Sequence, residues 1–516
     1  MTSAAVKTAK AGAVQRAILA SLNWVERKGN RLPHPVTLFV MLIALVLAAS
    51  WIASTLDVRA VHPGTKQEVH AVNLLSGEQI QRILTQAVKV FTDFPPLGLV
   101  LAVMLGIGVA ERSGLISAGL KAFVAILPRR LITMAIVTAG MLSSIAVDAG
   151  YVVLVPLGAV IFYGMGRHPL AGLAAAFAGV SGGFGANISL TSLDPLLAGF
   201  TEPAARLIDP AYHVEATANW YLMAASVPVV AIIGTFVTEK IVEPRLGPYT
   251  EEVHGDVEAD GGALKPLEKK GLWAAGGVMA LLTLAIAWTI IPTDGILRGA
   301  AGEMTPFFNS IVTLMLIVFL VPGIVYGLIV GTIRSDKDIA RMTSEAMSGL
   351  GGYIVLAFAA AQFVAYFNWS HLGTILAING AGTLQAIGFT GLPLIVAFVI
   401  VASLINIAIG SASAKWAIMA PIFVPMLMLT GYSPELTQAA YRIGDSYTNI
   451  LTPLLPYFPL VIVFAQKYVK DVGIGTLISL MLPYALAFAL VRIPMLVLWI
   501  LFEIPLGPGA PLTYTP

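Results

Sequence analysis

The chain of 516 residues contains no cysteine, so a disulfide framework, a thiolate metal site and a cysteine nucleophile are all excluded. Charge is scarce as well: Asp, Glu, Lys and Arg make up 11% of the residues, where a soluble protein carries roughly a quarter. No Gly-Lys dipeptide occurs, which rules out a P-loop and the ATP motor built on it. Net charge is only +2 and the basic residues form no dense run, which gives no support for nucleic-acid binding. The seven histidines show no metal-ligand spacing. What remains is apolar: 57% hydrophobic residues and a mean hydropathy of +0.85 make lipid the expected solvent.

A crossing helix needs about 20 apolar residues. Nine segments meet that need, at 34–55, 96–112, 169–205, 218–240, 271–291, 306–331, 348–368, 435–468 and 473–503. Two further apolar stretches are interrupted near the middle, 131–164 by Asp148-Ala149-Gly150 and 391–428 by Gly410-Ser411-Ala412-Ser413. Their arms of about 16 residues rise about 24 Å as helix, enough to enter the bilayer and return. The expectation is an all-α polytopic membrane protein with about nine transmembrane helices and two re-entrant hairpins. Segments 115–127 and 370–388, before each hairpin, are expected at the interface.

Most of the 30 Lys and Arg residues fall on one side if residues 1–33 form a cytoplasmic tail, as the positive-inside bias requires. That tail lacks a small-residue cleavage site and reads as retained. The first hairpin is then entered from the cytoplasm and the second from outside. The punctuation repeats accordingly. Pro156 is followed by Pro169, which opens a span broken at Asp194-Pro195-Leu196-Leu197; Pro421 is followed at the same spacing by Pro434, which opens a span broken at Thr452-Pro453-Leu454-Leu455. This suggests an inverted-topology repeat, 34–240 and 306–503, joined by a cytoplasmic loop and linker span over 241–305, with 504–516 as an external C-terminal tail. Such repeats place substrate and ion sites near the midplane, on discontinuous helices.

Polar groups at membrane depth persist where they line a protein-enclosed or watery cavity. Asp148, at the first hairpin tip, is either an N-cap or an ion ligand or proton carrier. Asp194 stands before a proline, an ordinary helix start, yet the break extends back through Asn187, whose amide and neighbouring carbonyls are able to coordinate a cation. At the second hairpin tip Ser413 is placed to cap the returning half-helix, whose N-terminus favours an anion; Lys415 adds a charge and Trp416 either a face for an aromatic substrate or a core side chain. Arg442 and Asp445 are three apart on one helix and either pair with each other or separate, freeing the Arg442 fork for a carboxylate or sulfonyl group. Asp445, Ser446 and Asn449, with Asn406 and Ser411, offer oxygen ligands to a hard cation, and Asp148 with Asn187 would be the related site. A bound Na⁺ is the one ion this reading admits; no other cofactor is expected. Arg492 and Glu503 read as snorkelling or lipid-facing anchors.

The motifs GSASAKWAIMAPIFVP, RIGDSYTNILTP and SGGFGANISLTSLDPL resemble those of the aminobenzoyl-glutamate transporter (AbgT) family, and the resemblance covers essentially the whole chain. It implies a homodimer of nine-span protomers in the bacterial inner membrane, with an inner core for dimerisation and an outer core for the substrate. The implied activity is transport of p-aminobenzoyl-glutamate or export of sulfonamide antimetabolites, and the functional positions that match are Asp194, Ser413, Trp416, Pro434, Arg442, Asp445 and Pro453. On the residues alone, a gradient-driven secondary transporter competes with an intramembrane aspartyl protease using two of Asp148, Asp194 and Asp445, and with a passive channel.

Overall fold

The computed structural model describes residues 35–61, 67–126, 128–145, 150–250, 264–299, 302, 304–452, 455 and 457–515. The tail 1–33, Asp148 and Pro453 lie outside the described residues. Among the described residues the regular elements are helical apart from one short antiparallel pair of strands, Arg59–Val61 with Glu68–His70.

Among the described residues, seven helices are long and apolar enough to cross a membrane, including Pro35–Thr55, Trp220–Val237, Pro266–Ile290, Thr305–Val330, Gly351–Trp369 and Ile474–Leu501. The expected spans 169–205 and 435–468 are each broken into shorter helices. The first runs as Pro169–Phe177, a turn of π-helix Ala178–Gly182, an irregular stretch, and then Leu193–Ala205. The second runs as Pro434–Thr448 and, after a gap, Phe458–Gln466. Gly185 has φ +87° in the first break, a left-handed conformation that glycine adopts without steric penalty.

Both interrupted stretches are helix pairs. The first comprises Ile132–Leu142 and Val155–Gly164, the second Leu392–Ala408 and Ala412–Met428. The segments 115–127 and 370–388 form the helices Leu115–Ile126 and Leu372–Ala386. Helices Gly77–Thr92 and Asp336–Gly349 have no counterpart in the hydropathy reading, because their charged residues interrupt any apolar run. The first hairpin fits its neighbouring span closely. A Cβ on Gly140 would lie 2.7 Å from the Gly179 backbone, so glycine is needed on both sides of that contact.

The main core joins both hairpins, both broken spans and the last helix in one apolar cluster. Pro266–Ile290 and Thr305–Val330 lie outside it. They pack on each other and on Pro95–Arg112, through smaller clusters around Ile311 and Met315 and around Ala275 and Tyr326. The C-terminal segment is anchored as well: Ser433 donates from its amide to Leu512 O (3.1 Å) and from its hydroxyl to Pro511 O (2.6 Å).

Candidate functional site

Five helices bring the membrane-depth charges together. Helix Leu193–Ala205 packs along the second hairpin's return arm, Ala412–Met428, while the outgoing arm, Leu392–Ala408, packs on Pro434–Thr448. The last helix, Ile474–Leu501, closes against Pro434–Thr448. The second half of the chain is thus interleaved with a helix of the first.

Arg442 is bonded through Nη1 to Asp194 Oδ1 at 2.5 Å, so its partner is not Asp445 one turn away. Both side chains are buried, at 4% and 0% exposure. The other Asp194 oxygen accepts from the Thr191 amide (2.6 Å) and hydroxyl (2.8 Å), so the carboxylate holds the start of its own helix as well as the arginine. Arg442 Nε has no partner among the described residues and faces Gly185 across the first break. A buried guanidinium nitrogen without an acceptor is costly, and a ligand oxygen would satisfy it.

Asp445 is bonded to the Lys415 ammonium, which also donates to Asn406 Oδ1. Tyr441 OH and Asn449 Nδ2 approach its two oxygens at 3.4 Å each. The expected hard-cation site around Asp445 is therefore centred on a lysine. Ser446 donates to Ile443 O (3.1 Å) and accepts from Arg492, and Ser411 is committed elsewhere. Ser411, in place of Ser413, caps the return arm by accepting from the Ala414 amide at 3.3 Å; the Ser413 hydroxyl meets that of Ser411, at 3.2 Å.

Trp416 is fully buried and presents no open face. It stacks on Tyr441 with centroids 4.4 Å apart and donates to Thr201 Oγ1 at 2.9 Å. The chain of bonds continues from Thr201 to Gln438 (2.6 Å), Asn219 (2.9 Å) and the Glu435 carbonyl (2.9 Å). Asn187 bonds Ser144 Oγ at 2.9 Å and Met141 O at 3.3 Å, which ties the first break to the first hairpin's outgoing arm. Pro434 opens its helix behind the Ser433 cap, 11 residues or about 16 Å from Asp445, and stands apart from the charges.

Arg492 departs most from expectation. It is buried, at 2% exposure, and donates to Ser446, so it is no snorkelling anchor. Its position contains the reason: it lies nine residues, about 14 Å, inside the end of helix Ile474–Leu501, too deep for its head to reach the interface. Its Nε, like that of Arg442, has no partner among the described residues. Glu503, just past that helix, is exposed.

Asp194 and Asp445 each hold a separate cation, which is not the arrangement of two carboxylates sharing one proton. A cavity of about 520 Å³ opens at Glu202, His213, Glu215 and Asn309 and does not border the charge cluster. Glu202 lies eight residues, about 12 Å, along the helix from Asp194. Within the His213, Glu202 and Glu215 group, burial raises the Glu215 pKa above its ordinary value.

Known proteins match this chain over nearly its whole length. The family described as "AbgT putative transporter family" matches residues 20–514. The p-aminobenzoyl-glutamate transport protein of Escherichia coli K12 is 40% identical over 489 residues, 94% of this chain and 96% of that protein. Among solved structures, the Neisseria gonorrhoeae MtrF, described as illuminating a class of antimetabolite efflux pumps, superposes with a TM-score of 0.90 at 50% identity, covering 95% of this chain and all of its own. The Alcanivorax borkumensis YdaH transporter gives 0.88 at 43% identity, covering 92% and 100%. Broken spans, paired hairpins and full-length similarity lead to one conclusion: this multi-pass membrane protein belongs to the AbgT transporter family.

Proposed function

We propose that the protein is a secondary active transporter of p-aminobenzoyl-glutamate, of sulfonamide antimetabolites, or of both, driven by a Na⁺ or H⁺ gradient across the bacterial inner membrane. The observation that carries this reading is the buried Arg442–Asp194 pair with its unpartnered Arg442 Nε beside the first break. A carboxylate of aminobenzoyl-glutamate, or a sulfonyl oxygen, competes with Asp194 for the guanidinium fork, and Arg492 adds a second cation close by on the adjoining helix. Binding then breaks a bond between the two halves of the chain, which couples occupancy to movement. In this alternating-access cycle the hairpins and broken spans move together, exposing the site to one side at a time.

The separation of the main core from the clusters around Pro266–Ile290 and Thr305–Val330 supports a moving part and a scaffold. The scaffold would form the homodimer contact. Trp273 and Trp288 are 84% and 75% exposed on one helix of it, available to lipid or to a second copy. In the cell the N-terminus would be cytoplasmic and the C-terminus periplasmic, following the Lys and Arg bias.

The test is uptake of labelled p-aminobenzoyl-glutamate and of a labelled sulfonamide into proteoliposomes, under an imposed Na⁺ gradient and separately an imposed pH gradient. Accumulation under one gradient alone identifies the coupling ion. Equilibration without accumulation would mean a passive channel, and no movement of either compound by folded protein would refute the substrate assignment.

A further inference from the structure

We propose that Glu435 is a proton-binding site of the transport cycle: as an acid it closes a clasp at the outer end of the second broken span, and as a carboxylate it opens that clasp. Glu435 stands in the first turn of helix Pro434–Thr448 and is buried, at 4% exposure. None of the ion pairs among the described residues includes it. Its Oε2 accepts from the Tyr212 hydroxyl at 2.8 Å. The Ser433 hydroxyl lies beside the carboxyl as well, yet gives its one proton to Pro511 O (2.6 Å) and so can only accept. A carboxylate removed from water with no counter-ion is costly, and such a group neutralises instead. The arrangement therefore suits an acid, which can donate to Ser433 where a carboxylate would repel its lone pairs.

The charges around it are paired elsewhere. At the end of helix Leu193–Ala205 and in the segment after it, Glu202 holds Arg206 (2.7 Å) and His213 (2.5 Å), and His213 also reaches Glu215 (3.3 Å). Asp209 accepts from the Ala211 amide at 3.0 Å, and the C-terminal segment contributes Tyr514, whose ring centroid is 5.8 Å from that of Tyr212. Deeper in the protein, Lys415, Arg442 and Arg492 are held by Asp445, Asp194 and Ser446. The clasp joins the two halves of the chain: Tyr212 and Asn219 follow the first broken span, and Asn219 donates to the Glu435 carbonyl at 2.9 Å. Arg442 lies seven residues, about 10 Å, further along the same helix, so release of the helix start is felt at the proposed substrate partner. The cavity of about 520 Å³ reaches Val214, two residues from Tyr212, and gives water a way to the clasp. On opening, the acid O–H passes its proton to that water and leaves a hydrated carboxylate; closure reverses the step. A proton bound in one arrangement and released in the other shifts the balance between them. The inference rests on the transporter reading for its place in the cycle and on the Lys and Arg bias for its side of the membrane; the proton itself is tested without substrate.

The chain has no cysteine, so a single introduced one is a unique probe. Val214→Cys places a thiol of similar size in the segment that carries Tyr212, at a side chain only 4% exposed. In the purified protein its rate of alkylation by a maleimide, divided by that of a free thiol at the same pH, should rise by up to about tenfold per pH unit between about pH 6 and about pH 9, because one proton is lost on opening. Adding Glu435→Gln, which stays neutral, should make the rate low and flat across that range. Adding Glu435→Leu should likewise flatten the profile, and it supplies the comparison if the Gln variant does not fold. A flat profile in the Val214→Cys protein itself overturns the proposal. So does a pH-dependent rise that survives substitution of Glu435, which would assign the titration to His213 and its partners. Neither substrate nor gradient is used, so loss of this inference leaves the transport reading standing, and failure of uptake leaves the alkylation result intact.

Discussion

The two hairpin halves have the same punctuation and different polar chemistry. In the first, the described membrane-depth charge is Asp194, and the contact of hairpin with break is a neutral bond from Asn187 to Ser144. In the second, Lys415, Arg442 and Asp445 crowd a single helix and hairpin, and Asn406 alone makes four polar contacts. The halves are joined where these chemistries meet, through Arg442 to Asp194 and Trp416 to Thr201. The two halves therefore share their proline punctuation, while most of the buried charge among the described residues falls in the second.

The largest effect should come from breaking the bridge between halves. Arg442→Met leaves Asp194 buried without its cation and should cost about 3–5 kcal/mol in denaturation, with uptake lost. The double change Arg442→Met with Asp194→Leu should recover much of that stability and none of the uptake. Full additivity of the two single losses would show that the pair is not an energetic unit.

The contrast within each half is sharper still. Asn406→Ala deprives the ammonium of an acceptor and removes the two amide hydrogens shared among Asp445 O, Thr448 Oγ1 and Asn449 Oδ1, and should destabilise by about 2–3 kcal/mol; Asn187→Ala should cost about 1 kcal/mol. Equal losses would erase the proposed asymmetry. Trp416→Phe keeps the stack on Tyr441 and removes the bond to Thr201, for about 1 kcal/mol, with substrate affinity nearly unchanged; a large affinity loss would instead give the indole a direct role in the ring's recognition.

The smallest effect concerns the caps. Ser433 caps the helix at Pro434 and cannot titrate, whereas His168 caps the helix at Pro169 by accepting from the Leu170 amide at 3.2 Å, which requires a neutral ring. Burial lowers the His168 pKa from 6.5 to about 4. A base whose folded pKa is depressed contributes stability that is complete above about 6.5 and is lost as pH falls toward about 4. Acidification from pH 7 to pH 5 should thus lower Tm in wild type, and His168→Ser should reduce that sensitivity.

Much of the fold could be read in the sequence because hydropathy, proline and glycine report directly on what a bilayer permits. The breaks after Pro169 and after Pro434 are visible for that reason. The charge partners were not legible, since helical spacing sees only neighbours on one helix. It allowed Arg442 to pair with Asp445, whereas interleaving of the halves brings Asp194 to the arginine and Lys415 to Asp445. Thr191, Thr201, Gln438 and Tyr441 carry no signal as single polar residues and gain meaning only through those partners. Arg492 was within reach, because its depth in a continuous helix already excluded snorkelling.

In the proposed cycle an anionic substrate takes the place of Asp194 on Arg442. Equilibrium binding of labelled p-aminobenzoyl-glutamate to purified wild type, Arg442→Gln and Asp194→Asn tests it most directly. The account predicts that Arg442→Gln loses about tenfold or more in affinity, as loss of a charged hydrogen bond requires. Asp194→Asn, which frees the guanidinium, should bind at least as tightly as wild type while its uptake falls. Wild-type affinity in Arg442→Gln would contradict the account and place the substrate elsewhere.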